Sequence, residues 1–313
     1  MSAVSARPAI VELENLTRRF GDLVAVDALS LVVGRGELFG LVGPDGAGKT
    51  TTLRMLAGVL APSAGDARLD GVSVVRESER VKHSIAYMSQ RFGLYTDLTV
   101  AENLEFYADL YRVPRAARAA RLERLYQFSA LGPFQDRLAG QLSGGMKQKL
   151  ALSCSLIHEP AILLLDEPTF GVDPISRRDL WLIVHEMVAH GTTVVVSTSY
   201  LDEAERFDRL VMLHRGRRLA LDTAEALQRA LPFAVLAVPV DRVREARALA
   251  ERIPGVERAA VFGDDLHLSV DAAAVDAARV AAALRAAGFT VGDVRRIVPT
   301  LEDVFIDRIS EAG

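Results

Sequence analysis

The 313-residue sequence has a single cysteine, Cys154, so it cannot form an internal disulfide, and this fits a reducing compartment. Long apolar runs are also missing, since none approaches the ~20 residues that span a bilayer. The first segment, Met1–Asn15, lacks the apolar core of a signal peptide. We therefore expect a globular protein that stays in the cytoplasm, with one large domain and a smaller one.

The sequence also lacks an excess of basic residues, with 37 Lys and Arg against 41 Asp and Glu. The formal net charge is -4 and the isoelectric point is about 5.9, which argues against nucleic acid as a partner because nucleic-acid binding needs a dense basic surface. Of 37 basic residues, the only lysines are Lys49, Lys82, Lys147 and Lys149. Lys49 stands in a glycine-rich segment, where a compact point charge suits a phosphate.

That segment follows the apolar run Leu38–Val42 and reads Gly43-Pro44-Asp45-Gly46-Ala47-Gly48-Lys49-Thr50-Thr51. The order of strand, glycine turn and helix predicts a phosphate-binding loop. Glycines let backbone N–H groups approach a phosphate without Cβ interference, and the helix start adds its positive dipole end. Lys49 would bind the outer phosphates of a nucleotide, and the Thr50 hydroxyl would be a ligand of Mg²⁺.

A second candidate is the apolar strand Ile162–Leu165, which ends in the adjacent carboxylates Asp166 and Glu167. A buried strand delivers such residues to the edge of the sheet at which the phosphate loop also opens. Asp166 is predicted to hold Mg²⁺, directly or through water, and Glu167 to polarise an attacking water.

Around these motifs the pattern predicts an α/β fold. Short β-like runs at Ile10–Leu13 and Leu29–Val33 indicate an antiparallel strand layer, and helical spacing between about Leu98 and Ile157 indicates a helical insert. Strand-like runs return at Ile162–Leu165 and Thr193–Ser197, separated by an amphipathic stretch, which favours a mostly parallel core sheet.

A second unit is predicted from about Leu231-Pro232. Its segments are a strand (Val235–Val240), a helix (Val243–Arg252), two strands around Gly263-Asp264-Asp265, a helix (Ala274–Ala287) and a strand (Val291–Val298). This order resembles a ferredoxin-like βαββαβ sandwich of the α+β class. A last short helix is predicted at Leu301–Ile309.

The deciding motif is Leu142-Ser143-Gly144-Gly145-Met146-Lys147-Gln148. Ser143 is placed to cap the next helix and the glycines leave N–H groups bare at its start, so this is a second anion site. One nucleotide does not need two such sites in one chain. With the motifs in this order, residues 8–225 resemble the ATP-binding subunits of ABC transporters, in which two subunits meet head to tail and each ATP lies between one phosphate loop and the partner's Ser-Gly-Gly signature.

The resemblance implies a P-loop NTPase fold of the ABC type over residues 1–229, with a helical subdomain at about 93–157 and the ferredoxin-like domain over 230–313. It implies that Phe20 stacks on adenine, that Gln90 senses Mg²⁺ and couples to the membrane partner, and that Asp173 crosses the dimer interface. The expected nucleotide contacts are Phe20, Gly43, Pro44, Asp45, Gly46, Ala47, Gly48, Lys49, Thr50, Thr51, Ser143, Gly144, Gly145 and Asp173; the metal contacts are Thr50, Gln90 and Asp166; the catalytic residues are Glu167, Gln90 and Ser199.

ATP and Mg²⁺ are the cofactors that the resemblance implies. The implied partners are a second ABC subunit, identical or a paralogue, an integral membrane permease and a periplasmic adaptor, with no nucleic acid. The chain would then lie on the inner face of the cell membrane.

Three positions depart from the family pattern. Asp45 stands where asparagine is frequent and brings a carboxylate near the phosphates, and Met146 replaces the usual glutamine of the signature. Ser199 stands where the family has a histidine that contacts the γ-phosphate. A serine hydroxyl can donate a hydrogen bond but carries no positive charge, so slow turnover is one expectation.

The tail Pro299-Thr300-Leu301-Glu302-Asp303-Val304-Phe305 and the Met-Lys-Gln form of the signature resemble the type-two exporter branch. The main hypothesis is therefore an ATPase that powers export through a separate permease. One alternative is an ATP-gated regulatory module that hydrolyses very slowly because of Ser199. The other, a non-transport ABC protein acting on ribosomes or DNA, is disfavoured because the chain lacks a second cassette, long insertions and a basic surface.

Overall fold

A computed structural model describes residues 7–90, 93–271 and 276–312. Over these residues the chain divides into two compact units, with the division between Thr223 and Ala224. Part of the segment Met1–Asn15 and the first residues of the helix predicted at Ala274–Ala287 lie outside the described residues.

The first unit contains strands and helices in alternation. Its strands are β1 (Ala9–Phe20), β2 (Leu23–Gly34), β3 (Leu38–Val42), β4 (Ala64–Leu69), β5 (Val72–Ser73), β6 (Ile85–Met88), β7 (Ile162–Asp166), β8 (Thr193–Thr198), β9 (Arg209–His214) and β10 (Arg217–Asp222). Its helices are α1 (Lys49–Leu56), α2 (Ser78–Ser84), α3 (Val100–Leu110), α4 (Arg115–Ser129), α5 (Gly144–Leu156), α6 (Pro174–Ala189) and α7 (Leu201–Ala204).

The strands form an antiparallel layer and a mostly parallel core sheet. The antiparallel layer has the order β2-β1-β4-β5, and its first two strands are longer than the runs visible in the sequence because they form a hairpin around Gly21. The core sheet has the order β10-β9-β3-β8-β7-β6, in which β10 alone among the described strands of that sheet is antiparallel to its neighbour. The predicted fold class is therefore confirmed.

Helix α1 lies in the hydrophobic core that joins the two sheets. Its residues Leu53, Met55 and Leu56 are buried in one cluster with Leu41 and Leu164 of the core sheet and with apolar residues of β1 and β2. Strands β3, β7 and β8 are buried along their whole length, as expected for strands covered on both faces. Their carboxyl ends meet at the same edge of the sheet, and this edge carries the site described below.

The helical insert predicted at about 93–157 contains α3, α4 and α5. Helix α3 begins with a capping box, in which Thr99 Oγ1 accepts from the Glu102 N–H and a Glu102 carboxylate oxygen accepts from the Thr99 N–H. Arg118 of α4 bonds to Glu105 and Asp109 of α3, which ties the two helices together. Among the residues that the structure describes, no helix combines the length and apolar character needed to cross a bilayer.

The second unit has the βαββαβ order that the sequence predicts. Its elements are α8 (Ala224–Arg229), β11 (Ala234–Pro239), α9 (Val243–Ala250), β12 (Val256–Phe262), β13 (Asp265–Val270), α10 (Ala277–Ala286), β14 (Arg295–Ile297) and α11 (Leu301–Ala312). The strands pair antiparallel in the order β12-β13-β11-β14, and α9 and α10 pack on one face through the cluster around Leu236, Leu268 and Leu284. The division falls before α8, earlier than the boundary predicted after Arg229, because α8 packs against α11.

A buried carboxylate holds the start of α11. Asp303 is 5% exposed, and its Oδ2 accepts from the N–H and the hydroxyl of Thr300 at 2.7 and 2.9 Å. Its Oδ1 lies 3.3 Å from Nδ1 of His267 on β13. Burial alone would raise the pKa of Asp303, but the hydrogen bonds from His267 and Thr300 outweigh it and hold that pKa below its ordinary value.

We expect Asp303→Ala to lower the free energy of local opening of α11 by about 1–2 kcal/mol at neutral pH, because the helix loses a cap and Thr300 and His267 lose their acceptor. Since the folded-state pKa is depressed, this stabilisation is present above the unfolded pKa and is lost as the pH falls below about 4. Hydrogen-exchange protection of the segment 301–312, compared at neutral and acid pH, measures both effects. Asp293→Ala, at an exposed position of the same unit, is the control, and equal protection in the two variants at neutral pH would contradict the assignment.

Candidate functional site

The phosphate-loop segment lies between β3 and α1, where close contacts exclude larger residues. Gly48 has a φ of 102°, and a Cβ there would lie 2.5 Å from the carbonyl oxygen of Ala25. A Cβ at Gly43 would lie 2.2 Å from the carbonyl oxygen of Leu213. Glycine is therefore required at both positions, and the loop leads directly into α1 with its positive dipole end.

Lys49, the first residue of α1, has a buried ammonium. The residue is 4% exposed, and Nζ donates to the carbonyl oxygens of Gly43 and Pro44 at 2.7 and 3.1 Å. Nζ also donates to Ser199 Oγ at 2.8 Å and lies 3.3 Å from Glu167 Oε1. The structure thus brings together residues of the phosphate loop, the end of β7 and the end of β8.

Asp166, at the end of β7, accepts hydrogen bonds from three hydroxyl groups. Thr50 Oγ1 and Ser197 Oγ donate to Oδ1 at 2.9 and 2.7 Å, and the Tyr87 hydroxyl donates to Oδ2 at 3.3 Å. Burial and the charge of Asp166 raise the pKa of Tyr87 to about 12, so this phenol stays protonated at neutral pH. The carboxylate is 1% exposed and is oriented by these three donors.

Glu167 has a left-handed backbone, with a φ of 47°, which costs roughly 1–2 kcal/mol for a residue with a Cβ. Its N–H donates to Ser197 Oγ at 3.0 Å, which holds this conformation. The backbone therefore turns the carboxylate back over the loop, where Oε1 accepts from Ser199 Oγ at 2.9 Å and Oε2 from Gln90 Nε2 at 3.2 Å.

Ser199 lies at the centre of this network. Its Oγ is 3.3 Å from Asp45 Oδ1 as well as within hydrogen-bond distance of Lys49 and Glu167. A hydroxyl has one proton, so it donates to one carboxylate at a time, and the Glu167 contact is the shorter. Asp45 therefore points into the site rather than away from it.

A cleft of about 670 Å³ opens above these groups. Its lining residues are Phe20, Leu23, Val24, Ala25, Asp45, Gly46, Ala47, Gly48, Lys49, Thr50, Thr51, Gln90, Glu167, Phe170 and Arg215. Phe20 is 46% exposed and the Arg18 guanidinium lies 4.5 Å from its ring centroid. Of the predicted residues, Phe20, the loop from Asp45 to Thr51, Gln90 and Glu167 thus surround one space that is large enough for a nucleotide. Asp166 is not among the lining residues and lies behind Thr50, to which it is hydrogen-bonded.

The signature residues Ser143, Gly144 and Gly145 lie elsewhere, at the start of α5. Ser143 Oγ accepts from the Met146 N–H at 3.3 Å, as predicted for a cap. A Cβ at Gly145 would lie 2.1 Å from Ser176 Oγ of α6, so the two helix starts are in close contact. Among the described residues that line the cleft, none comes from these helix starts.

Asp173 caps α6 and lies beside Gly145 of the signature. Its Oδ1 accepts from the N–H groups of Ser176 and Ile175 at 3.0 and 3.1 Å, and these bonds lower the pKa of the exposed Asp173 carboxyl. The side chain is engaged in capping and does not line the cleft of its own chain.

Sequence reasoning missed Glu203, which is 1% exposed in α7. Its Oε2 accepts from Thr169 at 3.0 Å and Thr198 at 2.8 Å, and its Oε1 accepts from Trp181 Nε1 at 3.3 Å. The two threonines follow β7 and end β8, so Glu203 positions the segments that carry Glu167 and Ser199. The only sign of Glu203 in the sequence is its position, an acidic residue a few places after the apolar strand β8. Sequence reasoning also missed two residues that bond to Asp166, Ser197 and Tyr87, and two that line the cleft, Phe170 and Arg215.

Comparisons with known proteins identify the family of the chain. Residues 26–170 match the family described as ABC transporter. The chain is 42% identical over 310 residues, or 97% of its length, to the Probable multidrug ABC transporter ATP-binding protein YbhF of Escherichia coli (strain K12), and covers 53% of that protein. It therefore spans about half the length of this curated relative, and the same holds for the YbhF protein of Shigella flexneri.

Other matches extend over whole proteins. The Daunorubicin resistance ATP-binding protein DrrA2 of Streptomyces coeruleorubidus is 35% identical over 302 residues, covering 95% of this chain and 94% of that protein. A solved structure, the dimeric post-hydrolysis state of the ATP-binding cassette MJ0796 bound to ADP and Pi, aligns with a TM-score of 0.62 at 26% identity and covers 68% of this chain and 98% of that one. The chain belongs to the ATP-binding proteins of ABC transporters.

Proposed function

We propose that the chain is the ATP-binding and ATP-hydrolysing subunit of an ABC exporter, dimerises head to tail around two ATP molecules and drives a separate membrane permease. The observation that carries this proposal is the convergence of Lys49, Thr50, Asp166 and Glu167, through direct contacts, at the carboxyl ends of β3 and β7. The multidrug and daunorubicin names of its relatives support the exporter branch.

The separation of the signature from the cleft supports a dimer. Ser143, Gly144 and Gly145 start α5 away from the phosphate loop of their own chain, so a second subunit is needed to bring such a helix start to the nucleotide. The dimeric structure of the ATP-binding cassette MJ0796 also supports a dimer. We propose that Asp173, exposed beside the signature, lies at this interface.

Residues at the start of α1 and at the end of β7 suit Mg²⁺. The Thr50 hydroxyl and the Asp166 carboxylate offer oxygen donors 2.9 Å apart, and oxygen is what this cation prefers. Gln90 is the further candidate ligand, placed beside Glu167. When bound, Mg²⁺ would supply positive charge to the outer phosphates.

The chemistry then depends on opening one ion pair. In this structure the Lys49 ammonium lies against Glu167, so neither group is available for its proposed role. Phosphate binding would draw Lys49 away from Glu167 Oε1, and the carboxylate, no longer paired with this cation, could accept the proton of the attacking water. ATP binding and activation of the base are thus coupled through the same contact.

A regulatory module with very slow hydrolysis is the second candidate, and Ser199 favours it. The neutral hydroxyl shares its surroundings with two carboxylates, Asp45 and Glu167, where a histidine would add positive charge. Steady-state phosphate release by the permease-coupled dimer separates the two candidates.

Lys49→Ala is expected to weaken ATP binding about 10- to 100-fold and to abolish turnover, because the phosphates lose a buried cation and its charge-assisted hydrogen bonds. A titration with labelled ATP measures the affinity. Lys82→Ala removes a half-exposed lysine of α2 and is the matched control. Equal ATP affinities for the two variants would refute the assignment of the loop.

Glu167→Gln is expected to keep ATP affinity and to lower turnover by about 10²-fold or more, because the amide cannot accept the proton of the water. The variant should accumulate as an ATP-bound dimer in gel filtration with ATP and Mg²⁺. Glu79→Gln, at an exposed position of α2, should behave as the unmodified chain. A monomer under these conditions would count against the head-to-tail dimer.

Ser199→His is expected to raise turnover several-fold in the permease-coupled complex with little change in the ATP dissociation constant, since loss of one transition-state donor costs roughly 10²–10³ in rate. Ser199→Asn, polar but uncharged, is the control and should not gain. Phosphate release and ATP titration give the two quantities. If the histidine variant shows no gain, another group already stabilises the γ-phosphate and the proposed weakness of the site is wrong.

A further inference from the structure

The turn between β9 and β10 places Arg215 at the rim of the cleft. The next residue, Gly216, donates its N–H to the carbonyl oxygen of Ala47 at 3.1 Å and accepts from the Asp27 N–H at 2.9 Å. A Cβ at Gly216 would lie 2.9 Å from the carbonyl oxygen of Ala25. The turn is therefore fixed between the phosphate loop and β2. Strand β2 pairs with β1, the strand that ends at Phe20.

Arg215 differs in its side-chain contacts from the next two arginines of the β9–β10 hairpin. Arg217 pairs with Asp27 at 3.0 Å and Arg218 donates to the Ser30 carbonyl at 2.9 Å. The exposed Arg215 guanidinium has no hydrogen bond or ion pair with any residue in the part of the chain that the structure describes. Its backbone has a φ of 48°, a left-handed conformation that costs a residue with a Cβ roughly 1–2 kcal/mol. A strained residue here presents an unpaired cation to the cleft.

The charges around the cleft give this cation a role. Among the described lining residues the charged side chains are Asp45, Lys49, Glu167 and Arg215. Lys49 is paired with Glu167, so Asp45 and Arg215 are the remaining opposite charges. Without Arg215 the lining side chains would sum to -1, from Asp45 and Glu167 against Lys49, a charge that disfavours a polyphosphate.

We infer that Arg215 is a further nucleotide-binding residue, which contacts the phosphate chain and offsets the carboxylate of Asp45. The inference deepens the proposed function and rests on it. A guanidinium offers parallel N–H donors that match two phosphate oxygens, and the turn holds its backbone beside Ala47 of the phosphate loop. Arg215 thereby adds a cation from a hairpin that precedes the second unit and lies outside the sequence motifs.

The test compares ATP with tripolyphosphate, which has the phosphate chain but no base or ribose, as competitors for labelled ATP. Arg215→Asn is the informative variant because asparagine tolerates the left-handed backbone. It should weaken both competitors by a similar factor, about tenfold. Arg215→Lys should recover part of the loss, and Arg217→Asn, on the same hairpin, should leave both affinities unchanged.

Unchanged affinities in Arg215→Asn, with its circular dichroism spectrum preserved, would overturn the inference. Weakened ATP with unaffected tripolyphosphate would also overturn it, since the contact would then be to the base or ribose. Both results leave the proposed function standing. If the unmodified chain binds no ATP, the proposed function fails and this inference fails with it.

Discussion

The arrangement of the site depends on satisfying one buried ammonium. Removing the partner of a buried charge lowers the stability of a protein by about 3–5 kcal/mol. The Lys49 ammonium therefore needs hydrogen-bond acceptors for its protons. They come from the carbonyls of Gly43 and Pro44, from Glu167 after β7 and from Ser199 after β8. These segments are distant in sequence and meet only because β3, β8 and β7 are neighbours in a parallel sheet. The sheet order therefore determines the chemistry that the edge can support.

Features that depend on neighbouring residues were predictable from the sequence. The continuous apolar runs of β3, β7 and β8 indicated strands buried on both faces, and Ser143 belongs to a local pattern that begins a helix. The βαββαβ order of the second unit followed from turn residues and periodicity. The division before α8 depends on a longer-range contact, because this helix packs against α11, which lies far along the chain.

Features that depend on distant partners were not predictable. The left-handed backbone of Glu167 is held by Ser197, and nothing in the local sequence signals a positive φ at a glutamate. The role of Glu203 follows from threonines at two strand ends, and that of Arg215 from the packing of its turn against Ala47 and Ala25. Each needs the tertiary structure, since long-range contacts decide which polar residue is buried and which cation has no partner among the described residues.

The contact between Gly145 and Ser176 has a consequence for how this surface can change. A single methyl group added at Gly145 would collide with the Ser176 side chain, so the first turns of α5 and α6 leave no room for a larger residue at position 145. Asp173 caps the second of these turns through the Ser176 N–H, and its carboxylate also lies within 3.4 Å of where a Cβ at Gly145 would stand. Substitutions at positions 145 and 176 are consequently interdependent: side-chain volume gained at one has to be given up at the other, which makes this pair a single unit of variation.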